Sequence, residues 1–131
     1  MTHPSGPELS EKAVQARVRR LYLDVGAEVF STSSVRRARI AKGMADLYVL
    51  HPKFSLWFEA KRAGGKQSPA QVAFQHSCER AGVRYLCGGL DVAVEHLQRI
   101  GVLPHEQRFA IIAGNNTATA ISVDTRILGM W

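Results

Sequence analysis

Apolar residues recur along the chain in two periods, and the changes of period divide it into elements. Val14, Val18, Leu21 and Val25 stand four, three and four residues apart, the stripe of one helical face. Ser10 precedes this run as an N-cap and Gly26 follows it, which predicts a helix from Ser10 to about Asp24. Ala27–Ser31 reads as a short strand. Thr32–Lys42, rich in Ser and Thr and then in Arg, reads as a loop, and Gly43 precedes a second strand at about Met44–Leu50. His51-Pro52-Lys53 breaks the chain before a third strand at about Ser55–Lys61, and so short a connection makes a hairpin. Gly64-Gly65 turns the chain outward. Ser68 then caps a second helix, with Pro69 at its first position and Gln71 three residues after the cap. That helix is expected to end at Ala81, with Gly82 as the left-handed residue beyond it. Val83–Cys87 reads as a fourth strand and Asp91–Arg99 as a third helix, stopped by Gly101.

The order α-β-β-β-α-β-α predicts an α/β fold, a mixed β-sheet with flanking helices. Residues 1–9 read as a loose arm and residues 10–103 as the folded domain. The extension 104–131 holds two apolar runs, Phe109–Ala113 and Thr119–Val123, around the turn signal Gly114-Asn115-Asn116, which suggests a terminal hairpin.

Composition narrows the class. A chain of 131 residues holds one core, and 46% hydrophobic with 21% charged residues is the balance of a globular protein. No apolar run approaches the roughly 20 residues that span a bilayer. The opening residues lack a basic start followed by an apolar stretch, so no secretory signal is expected. Cys78 and Cys87 make neither a disulfide framework nor a CxxC motif, the usage of a reduced, cytoplasmic protein.

Charge is more specific. The formal net charge is +6, which favours a polyanionic partner, most simply nucleic acid. Between Val29 and Gln71 lie eight cations (Arg36, Arg37, Arg39, Lys42, Lys53, Lys61, Arg62 and Lys66) and two acids, Asp46 and Glu59. On the third strand, Glu59 and Lys61 share a face while Leu56, Phe58 and Ala60 face the core. Asp46 lies thirteen residues before Glu59, and the hairpin can set the two carboxylates side by side. Such a pair repels unless a cation lies between them. Hard oxygen ligands with room for water and phosphate suit Mg²⁺. A metal there polarises a phosphate, and Lys61 can orient water or neutralise developing charge. Glu59-x-Lys61 alone equally describes a surface ion pair. Glu11, on the buried stripe of the first helix, reads either as dipole-stabilised decoration or as an acid aimed into a site.

The combination of Gly43-x-x-Asp46 in GMADLYVL, of WFEAKRAGGKQSPAQ and of the AGVRYLCGG strand resembles the VRR-NUC group of the PD-(D/E)xK nuclease superfamily. The resemblance runs from about Ser10 to Leu103. It implies a restriction-endonuclease-like core and a DNA endonuclease dependent on Mg²⁺ or Mn²⁺. Branched DNA is the implied substrate; some stand-alone viral members act on four-way junctions. By position it makes Asp46 and Glu59 metal ligands, Lys61 the catalytic lysine, Glu11 an accessory acid near the metal, and Gln71 a helix residue reaching toward the active site. The usual proline before the aspartate is Ala45 here, and the chain beyond about Pro104 has no counterpart in the pattern. Ser68-x-x-Gln71 is also a capping box, an equally good account of Gln71.

Arg36, Arg37, Arg39 and Lys42, with Arg62 and Lys66, are candidates for phosphate contacts, which position DNA without reading its sequence. Trp57 shares the face of Glu59 and is expected to pack under a helix. The five histidines have no metal-ligand spacing and read as structural or solvent-facing. The rival expectations are a DNA-binding module without catalysis and an RNA-processing nuclease with the same core. One small domain covers little of a branched duplex, and cutting both strands needs two sites, so a homodimer is expected.

Overall fold

The computed structural model describes residues 9–32, 42–107, 111 and 112. Helix α1 spans Glu11–Asp24, and the Ser10 hydroxyl accepts from the Ala13 N–H at 3.1 Å, as its N-cap position requires. The predicted stripe is the buried face: Val14, Val18, Leu21 and Val25 are all in the core, joined by Tyr22. Four strands follow, β1 (Glu28–Ser31), β2 (Leu47–His51), β3 (Phe54–Ala60) and β4 (Tyr85–Gly88), in the sheet order β1-β2-β3-β4. The first three are antiparallel; β4 runs parallel to β3 and is reached through helix α2 (Pro69–Arg80). Helix α3 spans Leu90–Arg99 and a short 3-10 turn spans His105–Gln107. The expected order, a mixed four-stranded sheet with three helices, is the order observed.

The β2–β3 hairpin pairs His51 with Phe54, leaving Pro52 and Lys53 as its two-residue turn. His51 fixes this turn. Its Nδ1 accepts from the Lys53 N–H at 3.0 Å, so its Nε2 carries the proton and donates to the Val25 carbonyl at 3.2 Å, tying the hairpin to the end of α1. The register then follows for the whole pair, because a one-residue slip would turn Leu56, Phe58 and Ala60 out of the core. All three are fully buried, on the sheet face covered by α1 and α3. The opposite face carries Trp57 and Tyr85, which meet Phe74 of α2 at ring separations of 5.4 and 6.1 Å. Trp57 therefore packs under a helix, as expected.

Most element boundaries fall within a residue of the sequence reading, and the two larger differences have a local reason. β2 begins at Leu47 rather than Met44, because Gly43 sits at φ +85°, in the left-handed region, and turns the chain first. A side chain at Gly43 would also collide with the Ala70 backbone, so the loop before β2 lies hard against the start of α2. β4 begins at Tyr85 rather than Val83, after the left-handed Gly82 has closed α2.

The tail departs further. Ile111 and Ile112, inside the run expected to be a strand, are helical. Ile111 is buried in the main core, and the Arg17 guanidinium donates to the carbonyls of Ile111 and Ile112 at 3.2 and 3.3 Å. The core thus continues past residue 103. The rest of the expected hairpin lies outside the described residues. No described helix is long and apolar enough to cross a membrane.

Candidate active site

The register builds the site. Leu47 pairs with Phe58 and Tyr48 with Trp57, so one further step puts Asp46 opposite Glu59. Glu59 in turn pairs with Cys87 of β4, and the Asp46 carbonyl accepts from the Thr32 N–H at 2.9 Å. Thr32, Asp46, Glu59 and Cys87 therefore form one row across the sheet, on the face of α2. Asp46 stands just beyond the end of β2, and its Oδ2 accepts from the Ala60 N–H at 2.9 Å, which bends it over β3.

Glu59 is buried, only 1% exposed. Its Oε2 accepts from the Gln71 amide at 2.8 Å and lies 3.5 Å from the Lys61 Nζ. Its Oε1 is buried with no hydrogen-bond partner. Burial first, and then the charge of Asp46, push the Glu59 carboxyl up to about 7. Asp46 is also raised, again chiefly by burial, with the Ala60 N–H and Lys61 working against the shift. Burial and the neighbouring carboxyl thus both favour the protonated form of Glu59.

Gln71 has both of the roles that its sequence position allows. Its carbonyl oxygen accepts from the Ser68 N–H at 2.8 Å, completing the capping box of α2, while its amide nitrogen donates to Glu59. The cap fixes which end of the amide points where, because a backbone N–H can only donate. The helix terminus therefore presents a donor, never an acceptor, to Glu59.

Lys61 is bracketed by acids, at 3.5 Å from Glu59 and 3.8 Å from Glu11 Oε1. Glu11 is 44% exposed at the start of α1. It pairs with Lys61 rather than joining Asp46 and Glu59 in a carboxylate triad, and no group of three His, Cys, Asp or Glu among the described residues is gathered to hold a metal ion. The donors that are present still fit one kind of ion. A buried carboxylate oxygen without a partner, beside a second carboxylate, suits a hard cation that takes one or two carboxylates and keeps much of its water, as Mg²⁺ does.

A cleft of about 390 Å³ opens beside Asp46, lined by Glu11, Lys12, Gln15, Ala16 and Arg19 of α1. A larger hollow of about 700 Å³ adjoins Lys61 and Cys87 at the start of α3. Lys12 and Arg19 are cations at the cleft that the sequence reading missed. Their signal was a second stripe on α1, at 12, 15, 16 and 19, on the side away from Val14 and Val18. Lys42, Arg62 and Lys66 are exposed, as phosphate contacts must be. Arg36, Arg37 and Arg39 lie outside the described residues.

His51 and His96 are buried, His76 and His105 are exposed, and Cys78 is a buried thiol. Burial, then the charge of Glu59, raise the Cys87 thiol, which keeps it protonated next to the acids. No protein-family model, curated protein or solved structure matches the chain significantly.

Proposed function

We propose that this chain is a metal-dependent DNA endonuclease of the VRR-NUC kind, with a restriction-endonuclease-like core, acting on branched DNA such as four-way junctions. The observation that carries the reading is the row Asp46–Glu59 with Lys61 alongside: a half-buried and a buried carboxyl set opposite by the register, the buried one with an unpartnered oxygen and a proton affinity near neutrality. Asp46 and Glu59 would hold Mg²⁺ or Mn²⁺, which when bound polarises a phosphate and makes water more acidic. Gln71 keeps Glu59 oriented through Oε2 and leaves Oε1 for the ion. Lys61 holds its charge where it can meet a phosphate oxygen, and Glu11 steadies that ammonium from the α1 side. Lys12, Arg19, Lys42, Arg62 and Lys66, with Arg36, Arg37 and Arg39, supply the positive surroundings that a phosphate backbone needs. A homodimer in the cytoplasm completes the reading, since symmetric cutting of a junction takes two sites.

The test is direct. Purified protein is incubated with linear, flapped and four-way DNA, and with RNA of the same sequences, in Mg²⁺, Mn²⁺ or EDTA. Cleavage of branched DNA that vanishes in EDTA is expected, and light scattering should show a dimer. Binding without cleavage in either metal would make the chain a non-catalytic binding module, and preferential cleavage of RNA would make it an RNA-processing nuclease.

A further inference from the structure

The carboxylate row has a neighbour that the chemistry above does not use. Two residues along the strands, Phe30 of β1 pairs with Tyr48 of β2, Tyr48 pairs with Trp57 of β3, and Trp57 pairs with Tyr85 of β4. Four aromatic residues thus cross the whole sheet, on the same face as Asp46 and Glu59. Their cover is unequal. Phe74 of α2 closes over Trp57 and Tyr85. Tyr48 leans on Trp57 at a ring separation of 4.6 Å and stays partly open. Phe30, at the outer edge, is 52% exposed, the most exposed of the large apolar residues described.

A contiguous exposed apolar patch, unlike a lone exposed side chain, marks a surface that binds something. Leu50, 36% exposed and two residues beyond Tyr48, widens the patch. Three observations favour a nucleobase as the occupant. The open surface is aromatic, and base stacking needs a π face more than it needs apolar area. The patch is continuous with the acid pair: Tyr48 lies two residues from Asp46, about 6.6 Å along a strand, or roughly two duplex base steps of 3.4 Å. Charge also has a direction here. Glu28 and Lys53 offset each other at the far end of the patch, whereas the end near Asp46 leads to Lys42 and, in sequence, to Arg36, Arg37 and Arg39. A polyanion tracking the cations enters from the end that holds the carboxylates.

We infer that Phe30, beside Tyr48, is a stacking site for one unpaired base of the strand held at Asp46 and Glu59. The site selects DNA by whether a base is free to leave its stack, with no hydrogen-bond reading of which base it is. This rests on the nuclease reading for the strand's identity, but it makes a separate claim about binding. A fully paired duplex has no base to offer, so Phe30 adds nothing to its affinity.

The experiment measures binding in Ca²⁺ of two DNAs, a flapped duplex with 2-aminopurine as its first unpaired base and the matching blunt duplex. Wild type is compared with Phe30→Ala, Phe30→Leu and Phe30→Trp, each checked for fold by circular dichroism. Phe30→Ala should weaken flap binding about 5- to 150-fold, the range for loss of one base–aromatic stack, with duplex affinity unchanged. Phe30→Leu should behave like Ala, and Phe30→Trp should restore flap affinity and quench 2-aminopurine fluorescence. Leu matching Phe, an equal loss on both DNAs, or no binding by wild type would overturn the inference. So would conversion of a dimer to monomer by Phe30→Ala, which would make the patch a contact between copies. Cleavage in Mg²⁺ separates the two claims: a wild type that stacks the flap base and never cuts keeps the platform and loses the nuclease, whereas cutting with unchanged flap affinity in Phe30→Ala does the reverse.

Discussion

Glu59 and His96 are both 1% exposed, and each carries a buried side-chain atom without a hydrogen-bond partner, Oε1 in one and Nε2 in the other. Burial acts on both in the same sense, toward the neutral form: it pushes Glu59 up to about 7 and His96 down to about 4. What differs is the company. His96 lies among rings, with the Tyr22 hydroxyl 3.4 Å from Nδ1 and Phe54 edge-on at 4.9 Å, and the charges of Arg84 and Arg99 reinforce its neutrality. Glu59 has Lys61 and Gln71 drawing it toward the anion and Asp46, which lines a cleft, pressing it back. A buried titratable group alone is packing. Poised between charges of both signs, it becomes a candidate site.

The largest effect should therefore separate the two residues in turnover. Glu59→Gln and Asp46→Asn should remove metal-dependent cleavage of branched DNA, a loss beyond about 10³-fold, with the fold intact by circular dichroism. His96→Phe should leave turnover nearly unchanged. Equal losses in Glu59→Gln and His96→Phe would break the contrast. Lys61→Ala comes next, at about 10²-fold in turnover, the scale of one electrostatic group at a transition state. It removes no carboxylate, so calorimetry should show metal binding retained, and loss of affinity as severe as in Asp46→Asn would reassign Lys61 to holding the site together.

Stability against pH should draw the contrast with opposite signs. The folded-state value of Glu59 is raised above its ordinary 4.5, so the native state holds the proton longer than the unfolded chain does. Its contribution is full below pH 4.5 and is lost as pH rises to about 7. Raised Asp46 adds in the same direction. His96 is lowered from 6.5 to about 4, so its contribution is full above pH 6.5 and is lost as pH falls toward 4. For Glu59 and for His96 the effect is on the order of 3 kcal/mol across the window. Thermal melts of Glu59→Gln should therefore gain on wild type at pH 8 and not at pH 4.5, whereas His96→Phe should gain at pH 4 relative to pH 7. A Glu59→Gln difference that stays flat with pH would mean that folding does not raise the proton affinity of Glu59.

Much of this architecture was legible because it is local. The Val14–Val25 stripe, the Ser10 and Ser68 caps and the left-handed Gly82 are set by neighbours in sequence, and each stands where its spacing placed it. The Asp46–Glu59 pairing was legible because a tight hairpin carries register over several residues. What was not legible depends on where distant elements land. Capping and site roles for Gln71 read as rivals, and one amide fills both only because Gly43 lets the β2 loop lie against the start of α2. Lys12 and Arg19 belong to a helix face that periodicity marks merely as solvent-side. The aromatic row from Phe30 to Tyr85 spans four strands, one of them parallel, and no single segment contains it. The Ile111 turn was read as a strand because two adjacent isoleucines carry no period, and its place was fixed by Arg17, ninety-four residues earlier.

Gln71 offers the smallest effect and the finest test of what distinguishes Glu59 from His96. Its amide donates to Glu59, which favours the carboxylate, and nothing comparable favours an imidazolium at His96. Gln71→Ala removes that donor and the side-chain half of the capping box together. The cap alone should cost about 0.5–1 kcal/mol of stability, the usual scale for such a group. The lost donor should act separately, on protonation: with only Lys61 still drawing it toward the anion, Glu59 should titrate higher than about 7, and the acid limb of the pH–rate profile should move to higher pH. Gln71→Glu divides the two roles. A glutamate can still accept from the Ser68 N–H, so the cap survives, but it turns a second acceptor toward Glu59 and repels the carboxylate. Stability at low pH should then resemble wild type while the acid limb moves further than in Gln71→Ala. Were both variants to keep the wild-type profile and differ only in melting temperature, Gln71 would be a helix cap that happens to touch the site, and Glu59 would owe its ionisation to Lys61 alone.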